Sequence, residues 1–210
     1  MKRLCLIPLC LLAGAACAEV EVLQPGPGDC CDSFIWQQNP DTNYDSIDHL
    51  EFGYTSGSVH SLLRFDELDD PRFDDCILGE AFLALRPVEG WGWGAPPIDC
   101  EIWMIIEDWD EETLTWNNRP DCNFPFVEFT YSSDGDWFSV DVTEIVRKWL
   151  ENGESNHGFY LRIVGGQGTC GAVAHSGEYT TDPSHRPKLT VDYSGSPVVE
   201  TSWGEIKALE

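Results

Sequence analysis

Basic side chains are scarce in this chain: 12 Lys and Arg stand against 37 Asp and Glu in 210 residues, a formal net charge of -25. Such a body repels nucleic acid and anionic lipid, and a polyanionic polymer could bind only where a local basic patch overcomes the field. It suits an extracellular protein bathed in divalent cations. Long apolar runs are also missing. Nothing approaches the roughly 20 consecutive apolar residues of a membrane span. No repeat period is visible, which excludes propellers and solenoids. G-x-S-x-G, P-loop and H-E-x-x-H patterns are absent, the five histidines are scattered, and carboxylate pairs in so acidic a chain say little about glycoside cleavage. The expectation is a protein that is not an enzyme. His175, beside Ser176 and Glu178, reads as a strand residue, with Glu178 paired to a base such as Arg64 or Arg119. No C-x-x-C pair and no His at ligand spacing supports a cysteine metal cluster.

What is present begins with residues 1–18, which read as a secretory signal. Lys2 and Arg3 form its charged start, Leu4 to Ala13 its apolar region and Ala16-Cys17-Ala18 a small-x-small cleavage site. The protein is therefore expected to be secreted. Lipid anchoring through Cys17 is the alternative, weakened by Gly14 where a bulky aliphatic is usual. Six cysteines lie beyond the signal: Cys30, Cys31, Cys76, Cys100, Cys122 and Cys170. An even number in a secreted chain implies disulfides, and the 15 pairings open to six cysteines are not resolved by spacing. Cys30 and Cys31 are adjacent, which directs them to different partners. Residues 19–30 form a Pro/Gly-rich leader and 31–193 one domain. Residues 194–210 are a linker and a short tail carrying Trp203, Ile206 and Leu209.

Within the domain, strand candidates recur at short intervals. They lie at Cys31 to Trp36, Leu50 to Tyr54, Val59 to Phe65, Cys76 to Val88, a central strand from Cys100, Phe126 to Thr130, Trp137 to Val140, Phe159 to Val164 and Ala172 to Ser176. In Lys188 to Tyr193, Leu189, Val191 and Tyr193 alternate with Lys188, Thr190 and Asp192, the pattern of a half-buried antiparallel strand. One helix is expected, at about Val142 to Glu151. Val142, Ile145, Val146, Trp149 and Leu150 make its apolar stripe, Asp141 caps it and Asn152-Gly153 stops it. Many short strands and one helix predict an all-β sandwich.

The chain is organised around Ile102 to Pro120, a strand feeding a polar loop anchored by Trp109 and Trp116. Around it lie Ser61-Leu62-Leu63-Arg64-Phe65-Asp66, Ala81-Phe82-Leu83-Ala84-Leu85, Thr115-Trp116-Asn117-Asn118 with Pro120, Asp141-Val142-Thr143 with Val146 and Trp149, Asn156-His157-Gly158-Phe159, and Ser176-Gly177-Glu178 before Pro187-Lys188-Leu189. In that order these pieces resemble the pattern of the DNRLRE family, a β-sandwich related to carbohydrate-binding modules. Asp45, where that family has Gly, the six cysteines and the Gly-Trp-Gly-Trp-Gly loop depart from it. The resemblance implies a jelly-roll-like antiparallel β-sandwich serving as an accessory module on secreted or surface proteins, some relatives binding polysaccharide.

Sugar binding needs exposed flat rings with polar groups nearby. Trp91 and Trp93, each flanked by glycine, are the candidates for glycan stacking, against the alternative that they fold down over the end of the sandwich. Trp109, Trp116, Trp137 and Trp149 read as core. No cofactor is required; a structural calcium is the candidate ion, with Asp41, Asn43 and Asp45 at alternate spacing as its ligands and the acidic run Asp66 to Asp75 as a second place for it. Two functions stay open: a noncatalytic module holding an extracellular glycan, and a structural or adhesive protein of the cell surface or matrix that self-associates.

Overall fold

The computed structural model describes residues 18–94, 97–132, 136–165 and 168–195. The expected signal and its Cys17, and the Trp203 tail, lie outside the described residues. Two antiparallel sheets make up the molecule, with a single short α-helix among the described residues, so the all-β sandwich expectation holds.

The smaller sheet has the order β1 (Ala18–Leu23), β11 (Lys188–Ser194), β5 (Ile77–Leu85) and β8 (Phe138–Asp141). In β11 the alternation read from sequence becomes alternating burial, with Leu189, Val191 and Tyr193 turned inward. Across the strand pair Leu189 faces Leu83, Val191 faces Ala81 and Tyr193 faces Leu78 of β5, all of them buried. β1 is a correction: residues 19–23 were read as leader, yet they pair with β11 from Ala18↔Ser194 to Leu23↔Leu189. Its alternating Val20 and Val22 point to solvent while Leu23 enters the core.

The larger sheet runs β10 (Cys170–His175), β3 (His49–Tyr54), β4 (Ser58–Phe65), β9 (Phe159–Ile163), β6 (Ile98–Ile105) and β7 (Cys122–Tyr131), with β2 (Cys30–Trp36) also on β4. Helix α1 (Thr143–Leu150) buries Ile145, Val146 and Trp149. It is tied along β5 by Val142 N–H to the Ala81 carbonyl (2.9 Å) and Leu78 N–H to Glu151 (2.7 Å). Asp141 accepts from Thr143 N–H at 2.9 Å, and Gly153 turns the chain away at φ 74°, the left-handed conformation that suits glycine.

The main core lies between the sheets and includes Phe52, Leu63, Phe65, Leu83, Ile102, Phe159 and Leu189. Each such side chain contributes about 1.5–3 kcal/mol by leaving water. A second, smaller cluster forms on the other face of the larger sheet: Ile35, Leu62, Ile105, Leu114, Tyr160 and Trp109, with Trp103 and Trp116 against them. Leu62 is fully buried although its neighbours on that face, His60 and Arg64, are polar. The loop after β6 folds back over the sheet and covers it.

Two expectations about side chains change here. None of Cys30, Cys31, Cys76, Cys100, Cys122 and Cys170 is bridged. Within the sheets no cysteine faces another across a strand pair: Cys30 lies opposite Phe65, Cys31 opposite Arg64, Cys100 opposite Phe129 and Ile163, Cys122 opposite Ile105 and Cys170 opposite Tyr54. Cys30 and Cys31 do part company, one in each hydrophobic cluster. Among the four tryptophans expected in the core, Trp109 and Trp149 are buried. Trp116 and Trp137 are half-buried, covered by the Arg119 guanidinium at 4.4 Å and the Lys188 ammonium at 4.1 Å.

Candidate functional site

The Gly/Trp loop after β5 runs along the outer edge of β10. Pro87 bridges Ala174, Val88 N–H donates to the Val173 carbonyl (2.9 Å), and Trp93 and Gly171 exchange backbone hydrogen bonds of 3.2 and 2.8 Å. This backbone pairing settles the fate of the two indoles. Trp93 lies flat on Gly53 and Gly171; a Cβ at either glycine would stand 2.6 or 2.2 Å from its ring. Its N–H donates to the Tyr54 carbonyl at 3.0 Å. Trp93 is thus half-buried, its ring held against β3 and β10. Trp91 is 58% exposed, the one tryptophan among the described residues left open to solvent.

Beneath Trp91 the surroundings are polar. Its ring meets His49 edge-on at 5.2 Å. The imidazole sits between Asp48 (Nδ1, 3.2 Å) and Glu51 (Nε2, 3.2 Å). Hydrogen bonding to Glu51 raises its pKa; burial opposes this and Asp48 reinforces it. Behind His49, Phe34 stacks on Tyr44 at 4.2 Å. An open indole face, two carboxylates and an imidazole stand together, and a sugar ring needs those groups: an apolar platform for its C–H face and acceptors for its hydroxyls.

In the loop that carries Asp41, Asn43 and Asp45, the Asp41 and Asn43 side chains hydrogen-bond to the loop anchored by Trp109 and Trp116. Asp41 accepts from the Asn117 amide at 2.7 Å. Asn43 Nδ2 donates to the carbonyls of Glu111 and Leu114 (2.7 and 2.8 Å), and its Oδ1 accepts from Asp45 N–H (3.1 Å). Asn43 is a clamp on the Trp109–Trp116 loop. In the acidic run, Asp66 binds Arg64 (2.6 Å) and Asp70 caps a 3-10 turn through Arg72 N–H (2.9 Å).

The structure assembles a different carboxylate group, spread too far along the chain for spacing to reveal. Asp32 of β2, Glu111 of a 3-10 turn in the Trp loop and Glu178 after β10 each offer an oxygen within 4.8 Å of the others. Asp32 is 1% exposed. Its Oδ2 accepts from Gly177 N–H at 2.6 Å, and its own N–H donates to Glu111 Oε1 at 2.8 Å. Burial pushes the Asp32 carboxyl well above its usual range, and Glu178 adds to this. Burial also moves Glu111 up to about 7, against the Asp32 N–H, which favours its charged form. Glu178 was expected to pair with a base; Arg64 and Arg119 are instead taken by Asp66 and by Trp116. His175 is a buried strand residue, as expected, lying against Tyr179 at 3.9 Å.

Carbohydrate-binding module family 96 matches residues 30–193. The chain belongs to that family. The chain is also similar to the tRNA3(Ser)-specific nuclease WapA of Bacillus spizizenii, 25% identical over 148 residues, or 64% of this chain. It spans 6% of that relative's length. No helix among the described residues is long and apolar enough to cross a membrane.

Proposed function

We propose that this family 96 module is a noncatalytic, extracellular glycan-binding domain, and that Trp91 is the stacking platform of its site. The exposed indole beside His49, Asp48 and Glu51 carries the reading. Trp93 holds the loop rather than the sugar. The acidic rim and the net charge of -25 favour a neutral polysaccharide over a polyuronate or sulfated chain. The DNRLRE-like order of motifs and the signal-like first 18 residues support an accessory role outside the cell. The small fraction of WapA that the chain resembles supports an accessory module too, and the acidic surface speaks against a role on RNA.

Retention on a panel of neutral, uronic-acid and sulfated polysaccharides tests this. Trp91→Ala should weaken retention on a neutral polymer tenfold or more, a loss of about 1.4 kcal/mol, with the melting temperature unchanged. Equal retention of wild type and variant would remove the site.

The adhesive alternative draws on one observation. β1 is an edge strand with Val20 65% and Val22 54% exposed, and unpaired strand edges can template association. A concentration-independent monomer on sizing columns would dismiss it.

A further inference from the structure

We propose that Asp32, Glu111 and Glu178 form a binding site for one hard divalent cation, calcium, which fastens together three segments remote in sequence. Two oxygens on one calcium lie at most about 4.8 Å apart, twice a metal–oxygen distance of about 2.4 Å. The three carboxylate oxygens meet that limit pairwise.

The second observation is a pair of stranded oxygens. Asp32 Oδ1 and Glu178 Oε2 are buried without a hydrogen-bond donor. Asp32 is only 1% exposed, and one of its carboxylate oxygens lies within 4.8 Å of one of Glu178's. Two acceptors facing each other in a low-dielectric pocket repel unless a proton or a cation lies between them. Among the described residues no basic side chain is hydrogen-bonded or salt-bridged to any of the three carboxylates; Arg64, the charge of that sign acting on Glu111, is paired with Asp66. The remaining polar contacts are backbone N–H groups and the Cys30 thiol, which donates to Asp32 Oδ2 at 3.5 Å. These hold Asp32 Oδ2 and Glu111 Oε1 in place and leave the other oxygens for a ligand. A cation outcompetes a shared proton because one proton cancels a single charge of three.

The donors are all carboxylate oxygens, a set that favours calcium over zinc, whose sites are built mainly on His nitrogen and Cys sulfur with carboxylates as a minor part. Magnesium demands a tighter octahedron at about 2.0–2.1 Å. The backbone is built closely around the group. A Cβ on Gly177 would stand 3.0 Å from Asp32 Oδ2, so this turn approaches the carboxylate as only a small residue can. The site joins β2, the loop that covers the second hydrophobic cluster, and the turn after β10. It shares no side chain with the Trp91 surface, and Trp91→Ala should leave its three carboxylates in place.

The test is calcium titration of the EDTA-treated, desalted full chain, followed by calorimetry and thermal unfolding, with magnesium and zinc run in parallel. One calcium per chain is expected, with a melting temperature raised by roughly 5–11 °C at a hundredfold excess over Kd. Asp32→Asn and Glu178→Gln should each lose the binding heat and the shift. The double variant Asp41→Asn with Asp45→Asn should keep both. Absence of heat and of any shift in the wild type would overturn the proposal, leaving a shared proton as the explanation. So would zinc in preference to calcium, binding that survives in Asp32→Asn and Glu178→Gln, or binding lost in the Asp41/Asp45 double variant. If Asp32→Asn does not fold, Glu178→Gln, at a partly exposed turn, and the wild-type titration still decide.

Discussion

The contact of Trp93 with Gly171 lends itself to a quantitative test. A methyl group on Gly171 would stand 2.2 Å from Trp93 Cζ2 and 2.4 Å from Cε2, far inside contact distance. Gly171 does not adopt a left-handed φ, so alanine suits the backbone and the whole cost is steric. Gly53 floors the ring from the neighbouring strand, an added Cβ there lying 2.6 Å from Cζ2, so the indole rests on backbone at both glycines and has no slack toward the sheet. Admitting the methyl therefore means lifting the indole. That breaks its bond to the Tyr54 carbonyl and strains the two backbone bonds between Trp93 and Gly171. At about 1 kcal/mol for each hydrogen bond, with part of the indole face returned to water, Gly171→Ala should cost about 3 kcal/mol. In a domain of this size the melting temperature should fall by roughly 6–12 °C. Gly165→Ala is the control: nothing lies within 4 Å of its added carbon and its φ is ordinary, so it should stay within about 0.5 kcal/mol of wild type. Thermal and urea unfolding read both. Gly171→Ala melting within about 1 °C of wild type would refute the reasoning and free Trp93 to serve as a second sugar platform.

Two further outcomes follow from polar groups the fold encloses. His60, 2.7 Å from the Tyr160 hydroxyl, is held down to about 3 by burial, then by Arg162 and Arg119. Its unfolded pKa of about 6.5 is higher, so its contribution to stability is complete above that value and is lost as pH falls from about 6.5 toward 3. Between pH 7 and 5 urea unfolding should show wild type losing about 1–2 kcal/mol more than His60→Gln; parallel losses would show that His60 is not the group refusing the proton. Asn43→Ala removes two hydrogen bonds to the Glu111 and Leu114 carbonyls and should cost about 2–3 kcal/mol in the same assay. A change under about 0.5 kcal/mol would deny Asn43 its clamping role.

Much of the architecture was legible in the chain because it is written at short range. The period-two pattern of Leu189, Val191 and Tyr193 and the stripe of Ile145, Val146 and Trp149 follow from local backbone geometry, and both became buried faces. The same reading passed over β1: its Val20 and Val22 face water, and its place depends on pairing with β11 at the far end of the chain. It treated Trp91 and Trp93 alike, since each is an indole between glycines. Only the bridge to Gly171 turns one ring onto the sheet and the other outward. The six cysteines look paired by number, but pairing depends on where the fold puts each Cα and Cβ, and all six are free.

Residue pattern by itself determined that this chain forms two layers of antiparallel strands with one helix, because side-chain alternation is a property of each strand alone. Tertiary structure alone decided which acids meet. Asp32, Glu111 and Glu178 come from a strand, a covering loop and a turn, and their approach is set by how the loop after β6 and the turn after β10 close over β2. No spacing along the chain encodes a distance that arises only when those three segments fold onto one another.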